Sequence, residues 1–281
     1  MRTRSRESAI WRRFCMNRGA VAGLVVVCLF ALVALAAPLA TTYDPEQTHI
    51  ELKLLEPSSA HLLGTDHLGR DILARLAYGG RFSLLIGFAA VGVGLIIGVP
   101  LGTVSGFYGG WLDLIIQRVI DVFLSFPGFL LALTLVAVLG VGITNVIVAV
   151  GLGVVPAFVR LTRASTLSIR SRAYVDAARA SGASGASIIW RHVLPNAMAP
   201  IVIQATLGLG ATLLTAAGLG FLGLGVQQPT PEWGAMLGEG RSYIFSNPNL
   251  ATFPGIAIFL TVLAFNLAGD GLRDALDPLQ T

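Results

Sequence analysis

The sequence predicts an all-α polytopic membrane protein with six transmembrane helices, and three observations carry that prediction. Hydrophobic residues make up 54% of the 281 positions and charged residues only 12%, too few to cover a soluble globule of this length. Mean hydropathy is +0.76. The charges that do occur are gathered into short intervals, separated by uncharged runs long enough to cross a bilayer.

Arg2, Arg4, Arg6, Arg12, Arg13 and Arg18 open the chain and make residues 1–19 a short N-terminal segment on the basic side of the membrane. The uncharged run that follows supplies a first span at about 20–41, since a helix rises about 1.5 Å per residue. Ala34-Leu35-Ala36 could pass for a signal cleavage site, but the apolar run exceeds a signal core, so the span is expected to be retained. A polar outside loop over 42–81 carries His49, His61, Asp66, His67, Arg70 and Asp71.

The second span is expected at 82–104, bent by Pro100 and followed by a turn at Gly106 to Gly110. Gly94, Gly98, Gly102, Gly106 and Gly110 recur every four residues, a small-residue row that lets membrane helices approach closely. Spans three and four are expected at 117–139 and 145–164, with Gly140-Val-Gly142 and Thr144-Asn145 as the outside turn. Arg118 and Asp121, three apart, can pair on one helix face. Spans five and six are expected at 196–222 and 251–268. Between them an outside segment from Gln227 to Asn249 carries Trp233 and Tyr243, which suit a lipid–water interface.

The polar interval from Ala173 to Pro195 interrupts the second half of the chain. Good helix formers run from Tyr174 to Ser181, and Gly182 sits where a helix ends in a left-handed residue. Ser184 can cap a second short helix from Gly185 to Val193, which Pro195 is expected to stop. Arg160, Arg163, Arg170, Arg172, Arg179 and Arg191 surround this unit and, with the N-terminal arginines, Arg118 and Arg273, lie on one side. Lys53, Arg70, Arg75, Arg81 and Arg241 fall on the other. The positive-inside rule therefore places the interval, and both chain termini, in the cytoplasm.

Several function classes are excluded. Lys53 is the only lysine and stands between Leu52 and Leu54, so no Gly-Lys-Ser/Thr phosphate loop exists. Gly218-Leu-Gly220-Phe-Leu-Gly223 fits a dinucleotide fingerprint but closes a membrane helix, where the motif has no meaning. His61, Asp66, His67 and Asp71 are spaced five, six and ten apart, which puts no three of them on one helix face; no metal site is expected. Cys15 and Cys28 flank a membrane boundary and suit neither a disulfide nor a metal pair. A self-contained channel or proton-coupled transporter would carry ionisable groups within its spans, and the apolar centres hold none. An intramembrane hydrolase would need a nucleophile beside a base, and all four histidines lie in loops or at a helix boundary.

The spacing of Asp176-Ala177-Ala178, Gly182 and Leu194-Pro195 resembles the signature loop of ABC-importer permeases. Asp176 stands where Glu is usual there, and His192 where isoleucine is usual. The His192 to Asn196 run, the run from His61 through Leu84, Gln227 to Gly234, Asn266, Gly269 to Asp274 and Leu276-Asp277-Pro278 are similar to the second permease subunit of the peptide and nickel branch. The resemblance extends from His61 to Pro278. It implies a type I ABC importer fold over 20–280, with 165–195 as a coupling loop seated on an ATP-binding subunit. Asp176, Ala177, Ala178, Gly182, Leu194 and Pro195 are then the coupling residues; no catalytic residue is implied, and the substrate-binding residues are left open. Implied partners are a second homologous permease, two ABC ATPase subunits that bind ATP and Mg, an extracytoplasmic substrate-binding protein and membrane lipid, without nucleic acid. The implied location is the bacterial cytoplasmic membrane. Dipeptides, oligopeptides, nickel chelates and haem all remain open as cargo.

Overall fold

The computed structural model describes residues 10–276. Arg2, Arg4, Arg6, Asp277 and Pro278 lie outside the described residues. Among the described residues there is no strand, and nine principal helices form the architecture: α1 (Arg18–Leu35), α2 (Ile72–Tyr108), α3 (Gly110–Leu124), α4 (Gly128–Leu139), α5 (Ile143–Arg170), α6 (Ala173–Ala180), α7 (Gly185–Phe221), α8 (Trp233–Gly240) and α9 (Asn249–Leu276). Five are long and apolar enough to cross a membrane, and α3 with α4 make up a sixth, broken crossing.

The pairing of α2 with α5 is built on the glycine row. A Cβ on Gly94, Gly98, Gly102 or Gly106 would lie 2.8, 2.5, 2.5 and 2.8 Å from Phe158, Phe158, the Val159 carbonyl and Arg163 or Thr166. Only hydrogen fits, so the backbones approach closely and gain dispersion contacts along four turns. Gly110 does not belong to the row: it and Gly109 both adopt positive φ and turn the chain from α2 into α3. Helix α1 lies on α9 through Gly23, whose Cβ would sit 2.5 Å from the Ala264 carbonyl.

Helix boundaries differ from the sequence expectation wherever charge stops marking membrane depth. The α2 helix begins at Ile72, not at 82, because Asp71 caps it by accepting from Ala74 N at 2.7 Å. Its first turns therefore stand in the region read as an outside loop. The α1 helix ends at Leu35, followed by a separate turn at Ala37–Ala40 whose first turn contains Pro38. The expected third span at 117–139 is not one helix. Pro127 disfavours helical geometry at Phe126, and α3 and α4 meet at 88° across Ser125–Pro127.

Two expected side-chain roles are also corrected. Trp233 is no interfacial residue: it is 1% exposed, donates Nε1 to the Leu76 carbonyl at 2.9 Å, and fills the space left by Gly79 and Gly80. Asp121 pairs with Arg160 of α5 at 2.9 Å, not with Arg118, because α3 turns Asp121 toward α5.

The 42–71 segment is fastened to α8 by ions. Arg70 donates Nε to Asp66 at 2.6 Å and Nη2 to Glu239 at 3.0 Å, and Arg75 donates to Glu239 at 3.2 Å. His61 Nδ1 lies 2.9 Å from Asp71. Asp66, His67 and Glu239 bring potential metal-ligand atoms within 4.8 Å of one another, yet both carboxylates already serve the two guanidiniums. Asp66 and Asp71 of the histidine–aspartate motif hold Arg70, Arg75 and His61, while His67 stacks on Tyr243 with ring centroids 5.7 Å apart.

Candidate functional site

The polar interval folds as a hairpin of α6 and the start of α7. Gly182 takes φ +80°, the left-handed conformation that ends α6, with Gly182 N donating to Arg179 O at 2.9 Å and Ala183 N to Ala178 O at 3.1 Å. Ser184 caps the next helix, its Oγ accepting from Ser187 N at 3.3 Å.

Pro195 does not stop that helix. Residues Ile189–Val193 form a π-turn, and Leu194 begins a fresh α-segment in which Pro195 occupies the first turn, where a missing N–H costs little. Asn196 Nδ2 donates to the His192 carbonyl at 2.7 Å beside the proline. The hairpin's second arm and the fifth span are thus one helix, α7, from Gly185 to Phe221.

The hairpin is held from beneath. Val175 and Ile188, both buried, pack with Phe107 of α2, Ile169 of α5, and Val193, Ala197 and Ile201 of α7. Arg170 donates Nη1 to the carbonyls of Gly106 and Phe107 at 3.2 and 2.8 Å, satisfying the C-terminal end of α2. Arg179 lies 5.6 Å from the Phe107 ring centroid and also donates to Asp176 at 3.2 Å. Tyr174 and His192 face each other across the arms, with ring centroids 6.1 Å apart.

The six residues singled out by spacing divide into two groups. Asp176, Ala177 and Gly182 are exposed on the hairpin, and Ala178 is half-buried against the anchoring cluster. Leu194 and Pro195 lie apart from these, lining an apolar groove of about 690 Å³ between α2 and α7 with Val99, Pro100 and Thr103. What spacing missed is the anchorage: Val175, Ile188, Phe107 and Arg170. A lone valine among alanines was the available signal for Val175, whereas nothing local marked Phe107 or Arg170.

Such a hairpin can transmit force. Its exposed surface combines Asp176, Ala177 and Gly182 with the aromatic Tyr174 and Trp190, its inner surface is packed into three of the long helices, and its second arm runs on as α7.

Comparison with known proteins agrees with this geometry. Residues 98–281 match the family model described as binding-protein-dependent transport system inner membrane component, and residues 8–57 match the N-terminal TM domain of oligopeptide transport permease C. The chain is 50% identical over 279 residues to the glutathione transport system permease protein GsiD of Pectobacterium atrosepticum, covering 99% of this chain and 92% of that protein. It is 48% identical over 262 residues to the dipeptide transport system permease protein DppC of Alkalihalophilus pseudofirmus, covering 93% and 86%. Among solved structures, an inward-facing MetNI methionine ABC transporter chain aligns with TM-score 0.59 at 23% identity, over 72% of this chain and 97% of that one. Fold, hairpin and relatives converge: the chain belongs to the binding-protein-dependent inner membrane components, the permeases of ABC transporters.

Proposed function

We propose that this chain is one of two permeases of an ATP-driven importer of short peptides in the bacterial cytoplasmic membrane. Its partners in this reading are a second homologous permease, two ATPase subunits that bind ATP and Mg, and an extracytoplasmic binding protein that delivers cargo. The chain itself performs no hydrolysis. Both termini and the α6–α7 hairpin face the cytoplasm, in keeping with the positive-inside distribution of its arginines.

The observation that carries the reading is the hairpin with an exposed Asp176-Ala177 face and an apolar root in α2, α5 and α7. ATP binding in the partner subunits favours one of two helix packings, and the hairpin conveys that bias to the spans. Asp176, Ala177, Ala178 and Gly182 form or support the docking surface, while Leu194 and Pro195 belong to the arm that moves. Peptides are favoured as cargo because relatives named for dipeptide, di/tripeptide and glutathione transport cover nearly the whole chain.

Gentle extraction of the tagged chain from native membranes tests the reading. A P-loop ATPase and a second permease should copurify, and the reconstituted assembly should accumulate a labelled dipeptide with ATP. Isolation of a stable, lone chain that transports without ATP would overturn it.

A further inference from the structure

The depth of α1 in a bilayer is fixed by its own length. Its 18 residues extend about 27 Å against a hydrocarbon layer of about 30 Å, so the whole helix is used in the crossing and each end stands at a boundary. At the C-terminal end Arg81 donates to the carbonyls of Ala34 and Leu35 at 2.6 and 2.8 Å. At the other end stands the exposed Arg18, directly after Asn17, whose Oδ1 accepts from Ala20 N at 3.1 Å and caps α1. Residues 10–16 are helical and end at that cap. Chain connectivity therefore holds this short helix at the membrane surface.

Its residues divide between the protein and the surroundings. Phe14 is buried with Ala20 and Ala275, and Ile10, Leu24 and Leu272 pack around them. Trp11 stacks on Phe14 with ring centroids 5.8 Å apart yet is 61% exposed, and Met16 is 73% exposed. Arg12 is exposed and Arg13 half-buried, and neither they nor Arg18 make an ion pair among the described residues. The neighbouring carboxylates are Asp274, which accepts from Asn17 Nδ2 at 3.2 Å, and Asp270 one turn earlier, with Arg273 between them. Counting all of these charges, this end of the fold stays positive. Exposed apolar and aromatic side chains beside arginines are the composition of a helix that lies in an interface.

An apolar groove of about 420 Å³ opens beside this helix, lined by Trp11, Phe14, Leu24, Thr206, Ala268 and Leu272. Leu24 is six residues into α1, about 9 Å from Arg18 along the axis, so the groove leads from the surface into the hydrocarbon. Its aliphatic lining, and a Thr206 hydroxyl that already donates to the Val202 carbonyl at 2.9 Å, suit an apolar occupant.

We propose that this end of the fold binds an anionic phospholipid, with an acyl chain in the groove and the headgroup phosphate among Arg12, Arg13 and Arg18. The two halves of the site match the two halves of that molecule: fixed positive charge at the boundary and a dry groove directly below it. The inference needs α1 to cross a bilayer and is independent of cargo and coupling.

The test strips the chain of lipid in detergent, together with any subunits that accompany it, and titrates it with dioleoyl phosphatidylglycerol or dioleoyl phosphatidylcholine. Bound lipid is read by native mass spectrometry. Each arginine near an anionic headgroup contributes roughly fivefold, so phosphatidylglycerol should bind at least about tenfold tighter than phosphatidylcholine. Arg12→Gln, Arg13→Gln and Arg18→Gln together should remove that preference, and the three lysine substitutions should keep it. Thr206→Phe, which fills the groove, should weaken both lipids. Quenching by phosphatidylglycerol brominated on its acyl chains, taken as the difference from Trp11→Phe, should saturate over the same concentrations and so locate the lipid here. Equal binding of the two lipids, or a preference that survives the three glutamines, overturns the anionic assignment. Full competition by inorganic phosphate, or indifference to Thr206→Phe, overturns the acyl-chain placement. A photo-crosslinker at Met16 that captures a protein chain rather than lipid in native membranes overturns the occupant.

Discussion

Gly182 separates backbone strain from partner contact in the α6–α7 hairpin. Its φ is +80°, and a Cβ built there meets nothing within 4 Å, so a substitution strains the backbone without crowding this chain. The left-handed conformation costs a non-glycine residue about 1–2 kcal/mol, and a β-branched residue sits at the upper end or beyond. At about 2 kcal/mol the native turn loses roughly 30-fold against alternatives. Asparagine tolerates this conformation better than alanine despite its larger side chain. The expected order of uptake per ATP hydrolysed in proteoliposomes is therefore Gly182, then Gly182→Asn, Gly182→Ala and Gly182→Val, with membrane insertion unchanged throughout. Coupled uptake by Gly182→Val equal to the parent would refute the backbone argument. If Gly182→Asn proved worse than Gly182→Ala, steric contact with a partner would govern the position instead.

Further outcomes follow from packing and charge. Gly98→Ala places a methyl 2.5 Å from Phe158 Cβ and should lower the melting temperature in detergent by an amount equivalent to about 1–3 kcal/mol, whereas Gly92→Ala, with open space around it, should be neutral. Glu239→Ala strips Arg70 and Arg75, whose side chains are at most 1% exposed, of a shared carboxylate; a loss of about 3–5 kcal/mol should appear as detachment of the 42–71 segment in limited proteolysis. Burial pushes the Glu232 carboxyl up, against the three donors Gly234 N, Ala235 N and Ser83 Oγ, which hold it back. A folded-state value above the unfolded one means the folded chain binds the proton more tightly, so stability should fall as pH rises from the ordinary carboxylate range through that raised value. Melting curves of Glu232→Gln across that window should lack this component.

The hairpin shows how local chemistry and tertiary context divide. Gly182 and Ser184 were legible because a left-handed helix end and an N-cap depend on the residue itself and its immediate neighbours. Pro195 reads as a stop in the sequence, but the effect of a proline depends on the turn before it. The π-turn at Ile189–Val193 resets the helix so that the ring falls in a first turn. The residue type of Trp233 points to an interface, while two glycines on α2, about 150 positions away in sequence, make the cavity that holds it.

By itself the sequence determined that the chain is helical and membrane-embedded, that α2 must meet another helix along its glycines, and that a left-handed turn lies at Gly182. Each of these depends on composition, on a period of about 3.6 residues or on one residue's allowed φ, all local quantities. Only the tertiary structure decided that Arg160 takes Asp121 from Arg118, that Glu239 closes the Asp66–Arg70–Arg75 ion cluster, that Val175 and Ile188 root the hairpin in three helices, and that the third crossing breaks at 88°. The physical reason is distance along the chain: a charge or a methyl chooses its partner by position in space, and helices far apart in sequence set that position.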